Sequence, residues 1–371
     1  MSRSPGKRPT PDVLIAGGAV VALIVLVAAV FLSGLGSTLY PPLAATAQGQ
    51  QIRDLYDFVF AFALVIFLLV EGLIVWSVIR YRRKPTDTEL PVQTHGNNLL
   101  EALWTLIPTA IVIVLFFVSW QTLTSVDAVS KTPDVHIRAV AGQFQWQFEY
   151  LDETGQRLFT QTTPTAENGG GMAVPVGRTI GVELQSPDVI HAFYVPRFLF
   201  KRDVVPGQTN RFDFTINENE VGETFRGQCA ELCGTGHRIM LFDVLAMSPA
   251  AYDAWLEQKI AEANATPPPP PSGEPSVTLD VTAKDVTFDT HALEVAADLP
   301  FAIAFKNDDV AVITHDIDIR ETDGTTVVFD QPTVAGGATQ SYLYPPLPAG
   351  TYTFICSVHP FPAMTGTLTV K

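Results

Sequence analysis

The sequence predicts a membrane-anchored all-β protein, in which N-terminal transmembrane helices precede two β-sandwiches. Three observations support this fold class. Residues 13–33, 58–79 and 99–118 are long apolar runs with hardly a charge. Beyond them, short β-type segments alternate with Gly, Pro and Asn. Five consecutive prolines at 267–271 then divide this β-rich part into two stretches.

Charge is distributed unevenly along the 371 residues. Up to residue 120 the chain has 8 Lys and Arg against 7 Asp and Glu, and the remainder has 15 against 31, which gives the net charge of −15. The acidic part is therefore the part that faces water. Such a balance argues against a nucleic-acid partner, because proteins that bind nucleic acid present basic surfaces.

Residues 1–54 hold the first apolar segment and a loop. The run at 13–33 follows a basic N-terminus, and its 21 residues exceed the roughly 7–15 residues of a signal-peptide core. The small residues at 45–47 nevertheless form an acceptable cleavage site. A retained span and a cleaved signal are therefore both open, and either leaves the rest of the chain on the same side of the membrane.

Residues 55–125 are predicted to form a transmembrane helical hairpin. The 22 residues at 58–79 are long enough to cross a hydrocarbon core of roughly 30 Å. The basic cluster at 80–84 follows at once, so the positive-inside rule places it in the cytoplasm and the span at 99–118 returns the chain to the outside. We therefore expect a multi-pass protein of a bacterial-type cell membrane with both β domains on the extracytoplasmic side. Glu71 lies within the span at 58–79, and it is either a functional residue or paired with another subunit.

The β-rich part is predicted to contain two domains. The first, at 130–264, ends in a helix with Ser248 as N-cap and Pro249 as its first residue. A Pro-rich linker at 265–275 is typical of a stiff spacer, and it leads to a second domain at 276–371, called the tail domain below. The predicted β segments are 135–140, 144–150, 178–184, 211–216 and 240–245 in the first domain, and 277–281, 301–305, 312–319, 340–344, 350–355 and 366–370 in the tail domain.

The stretch 229–240 gathers soft metal ligands within twelve residues. Thiolate sulfur together with imidazole is a copper preference, and a thioether argues against zinc. Two thiolates can bridge two copper ions while other groups complete the terminal positions. The candidate ligands are Cys229 and Cys233 as the bridging pair, with His191, His237, Met240 and the backbone oxygen of Glu231.

This pattern resembles subunit II of the haem-copper cytochrome c oxidases, whose signature is Cys-x-Glu-x-Cys-x3-His-x2-Met after an upstream Ser-Pro-Asp-Val-x-His. The resemblance covers roughly residues 55–258 and includes the segments 101–108 and 201–207. It implies a binuclear copper centre, called CuA, that accepts electrons one at a time and passes them to haem in another subunit. A rival interpretation, a disulfide between the two cysteines, would leave the histidines and the methionine unexplained.

The same resemblance implies roles for residues around the copper pair. The Glu231 side chain would help to hold a magnesium ion at the interface with subunit I. Glu101 matches a carboxylate associated with a proton-uptake path, although it could equally be a favourable charge in the first turn of a helix. Phe144, Trp146 and Asp188 are candidates for electron input. The family has a Trp where this chain has Phe144, and this departure weakens the expectation that a conventional cytochrome c docks there directly.

A second set of copper ligands lies in the tail domain. Cys356, His359 and Met364 have the spacing Cys-x2-His-x4-Met, and His315 supplies a second imidazole some forty residues earlier. Two His, one Cys and a distant Met are the ligands of a type 1 (blue) copper site. The last hundred residues therefore resemble plastocyanin-like cupredoxins, and both sandwiches are expected to be cupredoxin-like. The other interpretation is a duplicated sandwich without metal that serves only for docking.

These expectations together describe the electron-accepting subunit of a respiratory haem-copper terminal oxidase, which reduces oxygen to water with proton translocation. This chain would supply electron transfer and no catalytic residue, while subunit I holds the haem and subunit III completes the complex. The donor would be a cytochrome c or a small copper protein, with the tethered tail domain as a built-in shuttle. Two alternatives are the CuA subunit of a nitric oxide reductase and a membrane-tethered copper carrier.

Overall fold

The computed structural model describes residues 40–81, 95–163, 170–264 and 274–371 except positions 312, 325 and 361, together with the isolated positions 18, 25 and 29. Most of the apolar run at 13–33, of the basic cluster at 80–84 and of the proline linker therefore lies outside the described residues. By internal contacts the chain divides into two units, one formed by residues 1–44 and 48–126 and the other by 45–47 and 127–371.

The first unit contains two long apolar helices, α1 (Ala47–Tyr81) and α2 (Asn98–Val126). Among the described residues, these two helices are long and apolar enough to cross a bilayer. Asn97 caps α2, because its side-chain oxygen accepts hydrogen bonds from the backbone N–H groups of Leu99 and Leu100 at 3.1 and 3.2 Å. The apolar helices of the predicted fold class are confirmed.

The second unit begins with a β-sandwich of two five-stranded sheets. One sheet has the order β3-β2-β1-β5-β8 and the other the order β4-β10-β9-β6-β7. The strands are β1 (Val135–Gly142), β2 (Gln145–Leu151), β3 (Arg157–Thr162), β4 (Gly171–Pro175), β5 (Ile180–Gln185), β6 (His191–Tyr194), β7 (Lys201–Val204), β8 (Asn210–Phe214), β9 (Thr224–Cys229) and β10 (Leu241–Met247).

Aromatic side chains fill the space between these two sheets. Trp146 on β2 lies 5.1 Å from Phe242 on β10 and 6.0 Å from Phe193 on β6, measured between ring centroids, and all three rings are buried. Helix α3 (Pro249–Asn264) follows β10, and the Ser248 hydroxyl accepts a hydrogen bond from the Ala251 N–H at 3.3 Å. These buried rings therefore form a close-packed core at the end of the sandwich where β6, β9 and β10 meet.

The tail domain is a second sandwich, with sheets of order β11-β13-β16 and β12-β18-β17-β14-β15. Its core is a separate cluster of buried residues that includes Phe288, Phe305 and Phe354. The strands are β11 (Thr278–Ala283), β12 (Ala292–Val295), β13 (Phe301–Asn307), β14 (Asp318–Arg320), β15 (Val327–Phe329), β16 (Thr339–Tyr344), β17 (Gly350–Ile355) and β18 (Thr365–Val370). Two β-sandwiches after the apolar helices confirm the predicted all-β class.

The predicted strand at 312–319 is much shorter in the structure than in the sequence pattern. The segment 312–319 has strand only from Asp318, and the described residues before it form a loop. Asn307 is the reason, because its buried amide donates hydrogen bonds of 2.8 Å to the carbonyls of both Ile313 and Val334. These bonds hold the loop that carries His315, and this loop keeps one backbone bridge with Val334.

Candidate metal centres

The first candidate centre lies where three strands of one sheet end. His191 begins β6, Cys229 ends β9, and the loop 230–240 leads into β10. The strands bring these residues together because Phe193 on β6 is the ladder partner of Cys229 on β9. The loop then folds back, so that the Cys229 N–H donates to the carbonyl of Met240 at 3.0 Å.

The sulfur atoms of this loop lie close to one another and to the nitrogen atoms of His191 and His237. The two Sγ atoms of Cys229 and Cys233 are 3.9 Å apart, and the backbone oxygen of Glu231 lies 3.3 Å from Cys229 Sγ. The remaining distances from the thiols are 3.8 Å from Cys229 Sγ to His191 Nδ1, 3.5 Å from Cys233 Sγ to His237 Nδ1, and 3.9 Å from Cys233 Sγ to Met240 Sδ. All six predicted ligands therefore lie together.

Both thiols of this centre are buried, with exposed fractions of 4% each. The hydrogen bond between them lowers the pKa of Cys229 and raises the pKa of Cys233, because the pair shares a proton, and burial raises both. In the described structure both cysteines are free thiols. A metal cation that binds such a pair as thiolates displaces the shared proton into the solvent.

His191 is held by a carboxylate on the side of its ring that faces away from the thiols. Its Nε2 lies 2.9 Å from Asp188 Oδ1. Burial lowers the pKa of His191, but the hydrogen bonds with Asp188 and Cys229 outweigh burial and raise it overall. A carboxylate that accepts from one ring nitrogen fixes the other as the ligand atom. Asp188, predicted as a site of electron input, thus has a positioning role in the structure.

Asp188 also connects the centre to the turn between β1 and β2. Its Oδ2 accepts a 2.7 Å hydrogen bond from the Gln143 N–H, and the Gln143 side chain donates to the Cys233 carbonyl at 2.5 Å. Sequence reasoning missed Gln143, since nothing in its local pattern distinguishes it from any polar turn residue.

The two aromatic candidates for electron input lie against the ligand loop. Phe144 is 7% exposed and Trp146 is fully buried. The Trp146 indole N–H points to the Met240 carbonyl at 3.4 Å. A Cβ atom on Gly236 would lie 2.3 Å from Cγ of Phe144, so the aromatic ring packs directly on the backbone beside His237.

The two predicted carboxylate sites have different surroundings. The Glu231 carboxylate is 45% exposed and lies 3.2 Å from Lys201 Nζ, which also lies 3.1 Å from Asp203. Hydrogen bonds with Asp203 and Glu231 raise the pKa of Lys201. Glu101 lies in the first turn of α2 in the other unit, and its backbone N–H donates to the Asn97 carbonyl at 2.9 Å.

The second candidate centre lies at one end of the tail domain. Cys356 follows β17, Met364 precedes β18, and the Cys356 N–H donates to the Met364 carbonyl at 3.0 Å. His315 lies in the loop before β14 and pairs through its backbone with Val334. All four predicted ligands are buried, with exposed fractions of 0%.

Three of the tail ligands, His315, Cys356 and His359, converge as closely as those of the first centre. Cys356 Sγ lies 3.6 Å from His315 Nδ1 and 3.9 Å from His359 Nδ1, and the two Nδ1 atoms are 3.0 Å apart. Burial raises the pKa of the Cys356 thiol well above its usual value. Burial, followed by repulsion from His315, lowers the pKa of His359 to about 3. A metal site requires a neutral imidazole and a thiol that loses its proton when the cation binds.

The His315 ring is held by Asp309, a residue that sequence reasoning missed. His315 Nε2 lies 2.8 Å from Asp309 Oδ2. The same carboxylate accepts hydrogen bonds from the N–H groups of Asp285 and Val286, at 2.6 and 3.2 Å. Both residues have left-handed backbones, with φ of 52° and 55°, which is strained for a β-branched residue. The tail domain therefore maintains a strained turn that anchors Asp309.

Among the described residues, His191, Cys229 and Cys233 form one group whose ligand atoms all lie within 4.8 Å of one another, and His315, Cys356 and His359 form another. Because the donors are sulfur and imidazole nitrogen, with a methionine at each centre, these sets fit copper better than zinc, magnesium or calcium.

Family models match nearly the whole chain beyond its first residues. The transmembrane domain of cytochrome c oxidase subunit II matches residues 35–122, its periplasmic domain matches residues 135–247, and a cupredoxin-like domain matches residues 255–370. The three matches follow the order of the apolar helices, the first sandwich and the tail domain.

Two similar solved structures each cover part of this chain. The periplasmic domain of subunit II of cytochrome oxidase from Bradyrhizobium japonicum is 31% identical and covers 36% of this chain and 99% of that chain, with a TM-score of 0.33. Auracyanin A, a blue copper protein from Chloroflexus aurantiacus, is 24% identical and covers 25% of this chain and 98% of that chain, with a TM-score of 0.23.

Two curated relatives match over more than half of the chain. Probable cytochrome c oxidase subunit 2 of Streptomyces coelicolor is 35% identical over 249 residues, which are 58% of this chain and 77% of that protein. Cytochrome c oxidase subunit 2 of Mycobacterium tuberculosis is 31% identical over 269 residues, which cover 59% of this chain and 74% of that protein. The chain therefore belongs to the cytochrome c oxidase subunit 2 family.

Proposed function

We propose that this chain is the electron-accepting subunit of a respiratory haem-copper oxidase. Electrons from a cytochrome c or a small copper protein would pass through a CuA centre in the first sandwich to haem in subunit I. There oxygen is reduced to water with proton translocation. The chain itself would transfer electrons and carry none of the oxygen-reducing groups.

The convergence of two thiols with four further donors carries this proposal. Cys229 and Cys233 are 3.9 Å apart, and each has an imidazole nitrogen within 3.8 Å. Soft donors in this number suit two copper ions bridged by sulfur. A mononuclear zinc site would not use the thioether of Met240.

A bound copper pair would supply one-electron redox chemistry, and the protein would supply its ligands and a fixed frame. Cys229, Cys233, His191, His237, Met240 and the Glu231 carbonyl would hold the copper pair. Asp188 holds the His191 ring, and Trp146 holds the Met240 carbonyl. Because His191, Met240, Trp146 and both cysteines are buried in close-packed surroundings, they limit rearrangement when the charge of the site changes.

The tail domain is proposed to hold a type 1 copper ion with His315, Cys356, His359 and Met364. Its ligands are pre-positioned by Asp309 and by the loop bonds from Asn307. The proline linker would tether this site to the CuA centre, so the tail domain would act as a built-in donor at high effective concentration.

Further assignments concern the assembled complex. We propose subunits I and III as partners in a cell membrane, with both sandwiches on the extracytoplasmic side. Glu231 is proposed as a ligand of an interface magnesium ion, because nearly half of its carboxylate is exposed beside the copper loop. Glu101 is proposed as a proton-path carboxylate at the start of α2.

Electron input into the assembled complex tests the proposal. Reduced cytochrome c and a reduced small copper protein would be mixed with the complex, and haem reduction in subunit I would be followed in time. Deletion of residues 266–371 should slow haem reduction, and Cys233→Ser should abolish it with both donors. Normal haem reduction in Cys233→Ser would overturn the CuA route, and unchanged kinetics after the deletion would overturn the donor role of the tail domain.

A further inference from the structure

A hydrogen bond joins the two sandwiches within the second unit. The Thr314 hydroxyl lies 3.4 Å from Oε1 of Gln145, to which it donates. Gln145 is only 1% exposed and Thr314 only 7% exposed. Two polar side chains so well buried are expected to bond to a partner rather than to water. The contact therefore encloses both side chains and joins the start of β2 to the loop that precedes His315.

On the side of the first sandwich, the contact leads directly to the copper ligands. Gln145 begins β2, and two residues before it the Gln143 side chain donates to the Cys233 carbonyl at 2.5 Å. The Gln143 backbone N–H donates to Asp188, which holds His191. The three residues at 143–145 thus touch both the ligand loop and the carboxylate behind it.

On the side of the tail domain, Thr314 lies between two fixed residues. The carbonyl of Ile313 accepts a 2.8 Å hydrogen bond from the Asn307 side chain. The N–H of His315 donates to the Val334 carbonyl at 3.1 Å. Because hydrogen bonds fix the backbone of Ile313 and His315 on either side, the Thr314 hydroxyl has one orientation at the surface of the loop that carries His315.

We propose that the segment 143–145 docks the chain's own tail domain through Gln145, and that the Gln145–Thr314 hydrogen bond is the bridge between the two copper centres. This inference rests on the proposed function. In the proposed step, one electron leaves copper(I) of the tail site, which becomes copper(II), and enters the dicopper centre, whose total charge falls by one. No proton is transferred and no other reactant is needed.

The route across this bridge is almost entirely covalent. It runs from His315 along the backbone to Thr314, across the hydrogen bond to Gln145, and back along the chain to Gln143. A second hydrogen bond then leads to the Cys233 carbonyl. Only these two bonds, of 3.4 and 2.5 Å, interrupt the connection between a ligand of one centre and a ligand of the other.

A single hydrogen bond is enough for such docking, because the partner is tethered. The proline linker makes the encounter intramolecular, so even a weak contact is populated. A weak contact also lets the tail domain leave and meet an external donor, as a shuttle must. Docking and release are therefore both compatible with one buried bond.

Paired substitutions at Thr314 test the bridge in the full chain loaded with copper. Thr314→Val removes the hydroxyl and keeps the branched shape, whereas Thr314→Ser keeps the hydroxyl and serves as the matched control. A brief pulse of a one-electron reductant would be given at sub-stoichiometric amount. The redistribution of electrons between the blue copper band and the CuA band would then be followed.

The bridge predicts that redistribution in Thr314→Val is slower by up to about five-fold, the change in the docking equilibrium constant that loss of one hydrogen bond of about 1 kcal/mol produces. Thr314→Ser should stay close to the wild-type rate. Equal rates in wild type and Thr314→Val would overturn the bridge and leave the donor role standing. No redistribution even in the wild type would overturn both.

Hydrogen exchange in the metal-free chain gives a readout that is independent of electron transfer. Loss of docking in Thr314→Val should speed amide exchange at residues 143–146, because this buried edge becomes open to water. Exchange in β9 should not change and provides the internal control. Unchanged exchange at 143–146 would overturn the docking surface.

Discussion

The carboxylate of Asp309 lies 2.8 Å from Nε2 of His315, while Nδ1 of the same ring faces the Cys356 thiol. Asp188 and His191 repeat this arrangement in the first sandwich at 2.9 Å. In each domain, therefore, a carboxylate fixes which nitrogen of a histidine faces the sulfur. The two centres share this supporting feature although their ligand spacings differ.

Replacement of Asp309 should weaken copper binding in the tail domain. Asp309→Asn removes the charge that orients and polarises His315, and loss of such a partner costs about 10–100-fold in metal affinity. Competition with a copper chelator, read from the blue absorption band, measures this change. Asp308→Asn, at the exposed neighbour that pairs with Lys306, is the control. Equal copper retention in both variants would contradict the positioning role of Asp309.

A methyl group at Gly236 should disturb the first sandwich without straining its backbone. Gly236 has φ of −88°, so Gly236→Ala acts only through the collision of its Cβ with the Phe144 ring. Overpacking of this kind costs about 1–3 kcal/mol. The temperature at which the CuA signal is lost should therefore fall.

Gly350→Ala is the control for this collision. Its added Cβ would lie at ordinary contact distances, 3.5–3.8 Å from the Tyr352 ring. Thermal loss of the CuA signal in this variant should match the wild type. If Gly236→Ala also matched the wild type, Phe144 would not be packed against the ligand loop as described.

Buried Asp318 should make the tail domain less stable as the pH rises. Burial, and then repulsion from Asp316, raise the pKa of Asp318 to about 7, above the value of about 3.9 expected in an unfolded chain. The folded state therefore binds this proton more tightly. The stabilisation is complete below about pH 4 and is lost as the pH rises through 7.

Thermal loss of the blue copper band at several pH values measures this effect. The midpoint temperature of the wild type should fall between pH 5 and pH 8. In Asp318→Asn the fall should be smaller, because the amide does not titrate. Parallel curves for the two proteins would show that Asp318 titrates with an ordinary pKa.

Local sequence pattern was enough to predict the elements that bury a periodic face. Strands such as β1, whose alternate residues are buried, and helix α3, with its Ser248 cap, follow from residues close together in the chain. Seven of the described strands escaped prediction, namely β3, β4, β6, β7, β9, β12 and β15. Five of them have five residues or fewer, which gives too little periodicity, whereas β3 and β9 are six residues long and are fixed by pairing with neighbouring strands. The segment 312–319 has an apolar strand-like pattern, yet the Asn307 amide holds its first part as a loop.

The same distinction applies to the sites. The ligand motifs at 229–240 and 356–364 are compact in sequence, so their chemistry could be predicted and the structure brings their donors together. Gln143 and Thr314 act across the fold through contacts with residues far away in the chain, and Asp309 reaches His315 only through the folding of the loop between them. Their roles depend on tertiary structure, and no local spacing indicates them.

The central claim is that Cys229 and Cys233 hold a pair of copper ions. Metal analysis combined with electron paramagnetic resonance of the purified full chain tests it most directly. The ligand sets predict about three copper ions per chain, with one signal delocalised over two coppers and one blue-copper signal; Cys233→Ser should abolish only the delocalised signal. A chain that holds zinc at these thiols, or joins them in a disulfide, would contradict the account.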